Sequence, residues 1–98
     1  MARFEWDAEK AKLNARKHGV SFDEAVTIFL DANALDGVDL QHSTGETRFR
    51  RLGRSVEERV LMVVYTLRRT RHAEAIRIIS ARRASRRERA AYAAGRDD

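Results

Sequence analysis

The sequence contains no cysteine and no proline, and only three of its twenty lysine and arginine residues are lysines. Without cysteine there is neither a disulfide framework nor a thiolate metal site, and a reducing compartment is the natural home. Without proline, element boundaries have to be read from capping residues and glycines. Long apolar runs are missing too. The longest, Val60 to Tyr65, falls far short of the roughly 20 residues that span a bilayer, and the N-terminus carries no signal-peptide core. The expected location is cytoplasmic, with no membrane partner. Three chemical signatures are also absent: a phosphate-cradling glycine loop, a helical pair of zinc-binding histidines and a nucleophile elbow.

What is present fits one small domain. At 98 residues the chain is too short for two cores, and residues 1–98 are read as a single domain. Apolar residues make up 43% and charged residues 36%, so a modest core forms only if nearly every other position carries charge. The net charge of +5 conceals an asymmetry: residues 1–43 hold five Lys or Arg against eight Asp or Glu, whereas residues 44–98 hold fifteen against seven. Lys10, Lys12 and Lys17 all lie in the acidic part, so the basic part is basic through arginine alone. The planar guanidinium grips phosphate in bidentate fashion, and the pattern points to a polyanion, RNA foremost. A GC-rich genome or simple solubility would also produce an arginine surface.

The local patterns predict an α+β order. Arg3 to Trp6 reads as a short strand or extended entry, after which Asp7 caps a helix running to Gly19. Ser21 and Glu24 suggest a capping box, and Phe22, Val26, Phe29 and Leu30 recur at helical spacing over about nine residues. The two helices form a hairpin about Gly19 and Val20. Leu35, Val38 and Leu40 suggest a short irregular edge strand, and Gln41 to Glu46 a turn. Thr47 to Arg54, Arg59 to Leu67 and Ala75 to Arg82 read as a three-stranded meander, with the middle strand buried on both faces. Ser85 and Glu88 box the start of a final helix that carries Tyr92 and ends near Gly95.

Strand alternation sets Arg48, Arg50, Leu52 and Arg54 on one face and Phe49, Arg51 and Gly53 on the other. Applied to the last strand, it sets Ile76, Ile78, Ser80 and Arg82 against Arg77, Ile79, Ala81 and Arg83. Arg82, Arg83, Arg86, Arg87 and Arg89 cluster at the start of the last helix, whose dipole favours phosphate. RNA cleavage through the 2′-hydroxyl needs a proton acceptor, a proton donor and cations for the transition state. Arginine supplies only the cations. His42, four residues before Glu46 and shortly before Arg48, brings imidazole, carboxylate and guanidinium together in one loop. His18 reads as a helix-end residue, His72 as an exposed turn residue, and Asp31, Asp36 and Asp39 as solubilising acids rather than magnesium ligands. A non-catalytic binding module docking a partner through its arginines is the alternative reading.

Several ordered segments resemble one family. Phe4-Glu5-Trp6-Asp7 with Lys10 and Asn14, then Lys17-His18-Gly19-Val20-Ser21-Phe22, is similar to the opening of the BrnT toxins. His42-Ser43-x-Gly45-Glu46-x-Arg48, Gly53-Arg54-Ser55, Ile78-Ile79-Ser80-Ala81-Arg82, Arg86-Arg87-Glu88-Arg89 and Tyr92 are similar to its later segments. The resemblance implies a RelE-like α+β fold, with an N-terminal helical hairpin packed on a central antiparallel sheet and a C-terminal helix. It also implies a metal-independent endoribonuclease toxin of a type II toxin-antitoxin system, without cofactor, that arrests growth. A BrnA-like antitoxin would neutralise it, and operator DNA would be reached only through that complex. On this reading His42 and Glu46 are acid and base, and Arg48 and Arg82 neutralise the phosphate. Arg50, Arg54, Arg77, Arg83 and Arg86, with Lys10 and Tyr92, hold the RNA. A gyrase-directed ParE-like toxin would share the general fold. Arg50 and Arg51 depart from the family, standing where apolar strand residues are expected.

Overall fold

A computed structural model describes residues 3–95; the reading of residues 1–98 as one domain extends at both ends outside the described residues. The chain opens with β1 (Arg3–Glu5), α1 (Ala8–His18) and α2 (Phe22–Thr27), which tightens into a 3₁₀ turn at Ile28–Leu30. Four strands come next, β2 (Leu35–Val38), β3 (Phe49–Arg54), β4 (Val60–Arg69) and β5 (Glu74–Arg83), and then α3 (Arg86–Ala94). A further 3₁₀ turn, Leu40–His42, opens the β2–β3 connection; it takes in Leu40, expected in the irregular edge strand, and the start of the turn expected over Gln41 to Glu46.

One sheet contains all five strands in the order β1-β5-β4-β3-β2. From β2 to β5 it is an antiparallel meander, and β1 lies beside β5 in parallel. The sheet is therefore mixed, where a central antiparallel sheet built on a three-stranded meander was expected. A three-residue strand with one core residue, Phe4, carries no pattern that encodes its direction. β4 and β5 are also longer than expected, which shrinks the charged turn between them to residues 70–73. Arg68, Arg69 and Glu74 thereby become strand residues, and Arg69 Nε donates to Glu74 at 2.9 Å.

The caps explain the helices. Asp7 accepts from the N–H groups of Glu9 and Lys10 at 2.9 and 3.0 Å, and Gly19 ends α1 in the left-handed region at φ 69°. Ser21 accepts from the Glu24 N–H at 3.0 Å. The expected box is only half formed, because Glu24 turns away to Arg59 and Ser55, which donate at 2.6 to 2.8 Å. The 3₁₀ turn after α2 rests on Gly53, where an added Cβ would lie 2.8 Å from Ile28 Cβ and 3.2 Å from its carbonyl oxygen. Only glycine admits this approach of helix to strand.

The sheet buries apolar side chains on both faces. Against one face lie Val20, Phe22, Ala25 and Ile28, meeting Leu61, Val63, Tyr65, Ile78 and Ala81. On the other face Leu52, Val60, Met62 and Ala84 cluster with Leu35 and Tyr92. β4 feeds both layers, as its unbroken apolar run anticipates.

β5 departs from strict alternation. Val64 pairs with Ser80 but Tyr65 pairs with Ile78, so Ile79 is one residue too many. The bulge sends Ile76, Ile78 and Ala81 toward the helices and leaves Arg77, Ile79, Ser80 and Arg82 on the opposite face. Just past it, the buried Asn14 side chain of α1 accepts from the Ala81 N–H at 3.1 Å and donates to its carbonyl at 2.8 Å, with a further bond to the Val20 carbonyl at 3.0 Å. An amide side chain thus continues the edge of β5 where β1 stops. Asn14→Ala leaves these buried backbone groups unpaired and is expected to destabilise the protein by about 1–3 kcal/mol, read as a lowered urea midpoint; an unchanged midpoint would show the bridge to be dispensable.

Candidate active site

Across β3, β4 and β5 the residues Arg50, Val64 and Ser80 stand in one row, and Leu52, Met62 and Arg82 in the next. α3 covers part of this face, and the uncovered part is a cleft of about 410 Å³. Met62, Val64 and Ile79 give it an apolar floor, while Asp39, Gln41, His42, Arg48, Arg50, Ser80, Arg82 and Glu88 supply polar walls. Arg50 and Arg51, the two family departures, divide between the faces. Arg50 enters the cleft; Arg51 lies over the Phe29 ring at 4.8 Å with its Nε 3.8 Å from Asp36. The apolar position expected on the helix side is thus taken by a guanidinium that covers an aromatic ring at the edge of the core.

His42 is held from below. Its Nδ1 lies 3.0 and 3.2 Å from the two carboxylate oxygens of Asp39. A carboxylate only accepts, so Nδ1 carries a proton and Nε2 is the atom left to exchange one. The loop carrying this pair is clamped: the Asp39 N–H donates to the Arg48 carbonyl at 2.8 Å. Ser43 Oγ donates to the Asp39 carbonyl at 2.6 Å and accepts from the Arg48 N–H at 2.9 Å. Arg48 Nε is buried with no hydrogen-bond partner among the described residues.

On the opposite wall Arg82 is fixed by Glu88 in a two-pronged pair, Nη1 to Oε1 at 2.7 Å and Nη2 to Oε2 at 2.9 Å. Glu88 also accepts from the Ser85 N–H at 2.8 Å, completing the expected box at the start of α3. The Arg82 fork holds the Glu88 carboxyl down to about 2, outweighing the opposing effect of burial, and Glu88 in turn raises Arg82. A carboxylate so firmly ionised is a poor proton acceptor near neutrality; its role is to aim Arg82.

Of the residues singled out from sequence, the cleft gathers His42, Arg48, Arg50 and Arg82. Glu46 is exposed and does not line it, and the carboxylate paired with His42 is Asp39. Lys10 is exposed on α1, on the other side of the sheet. Arg77 pairs with Glu5 at 3.7 Å beside the β1 edge, and Arg86 is exposed at the start of α3. Arg54 and Arg83 border a separate cavity. Tyr92 packs between α3 and the sheet, and its hydroxyl donates to Asp31 at 2.5 Å. Sequence reasoning missed Asp39 as a histidine partner, although the spacing of three to His42 across one helical turn was a signal. It read Glu88 only as a cap, since pairing with Arg82 depends on the turn between β5 and α3. Asp31, Asp36 and Asp39 are engaged separately, with Tyr92, Tyr65 and His42. Among the described residues no three acidic or histidine side chains converge on a common point.

This fold, three helices on a five-stranded sheet, belongs to a class of known structure. It matches the crystal structure of the Brucella abortus ribonuclease toxin BrnT, solved at 1.1 Å, with a TM-score of 0.64 and 24% identity over 88% of this chain and 100% of that chain. No curated protein matches the sequence. The family described as the ribonuclease toxin, BrnT, of type II toxin-antitoxin systems matches residues 6–88. The chain belongs to the BrnT family of ribonuclease toxins.

The Arg82–Glu88 pair on one wall of the cleft has a pH signature. With Glu88 lowered from 4.5 to about 2 in the folded state, its contribution is fully present above about pH 4.5 and is lost as the pH falls toward about 2. Glu88→Gln is therefore expected to lower the melting temperature at pH 7, with the gap to wild type closing on acidification over that window. A gap that stays constant down to pH 2 would show that the carboxylate is not held by Arg82.

Proposed function

We propose that the cleft between the Leu40–His42 turn and α3 is where RNA is cut, by attack of the substrate's own 2′-hydroxyl on the adjacent phosphorus. The observation that carries this reading is the His42–Asp39 pair standing among Arg48, Arg50 and Arg82 in one cleft. Nε2 of His42 takes the proton of the attacking hydroxyl and, once protonated, returns it to the leaving 5′-oxygen. Arg48, Arg50 and Arg82 meet the charge that accumulates on the phosphoryl oxygens, where fixed cations are most effective because they need no reorganisation. Asp39 is a positioning residue: it fixes the imidazole tautomer and aims the ring. None of these steps calls for a metal. The relation to RelE-like enzymes is supported by helices and a sheet that leave one basic face open.

Growth arrest follows from loss of RNA, and a type II toxin implies an antitoxin partner. A BrnA-like antitoxin that places acidic side chains over the cleft would block it and bring operator DNA to the complex. Arg82→Ala is expected to abolish both RNA loss and growth arrest in cells expressing the folded variant. Arrest with intact RNA would instead indicate another target such as gyrase, and no arrest with wild type a binding module. In purified form, His42→Ala should lower cleavage by about 10²-fold or more. Asp39→Ala should lower it less, and should add nothing in the His42→Ala background. Additive losses would give Asp39 a role independent of His42.

A further inference from the structure

α3 divides two cationic surfaces, because neighbouring residues at its start point to opposite sides. Arg82 and Glu88 face the cleft, whereas Arg83 and Arg89, each one residue further on, face a second cavity of about 650 Å³. Arg54 and Arg59 complete its cationic rim, and Glu58 is the one carboxylate there. Two of the four guanidinium groups are fixed in advance. Arg59 donates to Glu24 at 2.6 and 2.8 Å and to the Gly19 carbonyl at 2.9 Å. Arg89 donates to the Ala84 carbonyl at 2.9 Å. Glu24 and Glu57 offset Arg59, Asp31 lies beside Arg54, and Glu58 offsets one more charge, so the cavity keeps a narrow cationic excess carried by Arg83 and Arg89. Val60 and Ala84 at its base leave no hydroxyl or amide side chain to discriminate bases, which suits the phosphate backbone rather than a nucleobase.

We infer that this cavity is a second anion site, which holds the phosphodiester backbone of the same RNA strand after it has passed over the start of α3 from the cleft. The site rests on the reading of the cleft as the place of cleavage and adds substrate length to it. Binding energy gathered away from the scissile bond holds the strand in place, and only RNA long enough to reach both surfaces receives it.

The test uses the full chain, a single-stranded RNA of about twelve nucleotides and a dinucleotide. Arg54→Ala combined with Arg83→Ala is expected to raise KM for the longer RNA about tenfold, with kcat unchanged and the dinucleotide kinetics as in wild type. The slope of log affinity against log salt should become shallower by about 1.4, near 0.7 for each lost contact to a single strand. Arg54→Lys with Arg83→Lys, which keeps the charge, should recover most of the affinity and shows that the fold survives. Equal losses on both substrates, or no loss on the longer one, would overturn the site. If wild type cleaves neither RNA, the reading of the cleft fails by itself. The second site is then judged by fluorescence anisotropy of the twelve-nucleotide RNA, where undiminished binding by the alanine pair would refute it.

Discussion

β4 must be covered on two sides. Leu61, Val63 and Tyr65 face one layer and Val60 and Met62 the other, so the chain has to supply apolar cover both above and below a single strand. α1, α2 and the 3₁₀ turn meet the first demand in full. The second falls to α3, a helix of nine residues, which spans roughly 14 Å at 1.5 Å per residue and stops short of the far rows of the sheet. The cleft is the remainder. Its apolar floor runs from Met62, at the edge of the cluster on which Tyr92 packs, to Val64 and Ile79, and the arginines along its walls keep that floor soluble and anion-seeking at once.

The uneven charge of the chain has a structural counterpart. Acids of the first part meet arginines of the second: Glu5 with Arg77, Glu24 with Arg59 and Asp36 with Arg51. Much of the excess of arginine is therefore consumed internally, in pairs that tie the N-terminal elements to the sheet. Of these, the Glu24–Arg59 pair is the best shielded and has two hydrogen bonds, with the Ser55 hydroxyl satisfying the same carboxylate. Exposed pairs such as Lys12–Glu9 contribute little by comparison. The positive field survives in the cleft, where Asp39 is the one lining acid from the first part of the chain.

Caps and apolar period were legible in the sequence because both are local. Asp7, Ser21 and Ser85 mark helix starts, Gly19 and Gly95 mark ends, and the run from Val60 marks the central strand. His42, Glu46, Arg48 and Arg82 could be named as a group, and Arg50 among the RNA-holding residues, on residue type and on family resemblance. Partners set by tertiary register could not. That Glu24 serves Arg59 instead of its own helix cap, that Glu46 stays outside while Asp39 meets His42, and that Tyr92 is spent on Asp31 all depend on which elements face each other. A pattern of period two also cannot announce the residue at which it breaks, and β5 breaks at Ile79.

That break gives β5 a phase. Ile79 and Ser80 share one side of the sheet, and Asn14 grips the strand at Ala81, immediately downstream. Were the strand to flatten with all its residues kept, alternation would turn the Arg82 guanidinium under α1 and the Ala81 methyl toward the cleft. The last helix would then leave from the wrong side of the sheet. Bulge and chain length are therefore tied to each other. A relative with a flat β5 needs one residue fewer between Ile78 and Ala81, and a relative with the same spacing needs the bulge. Side chains along this stretch can vary far more freely than that count.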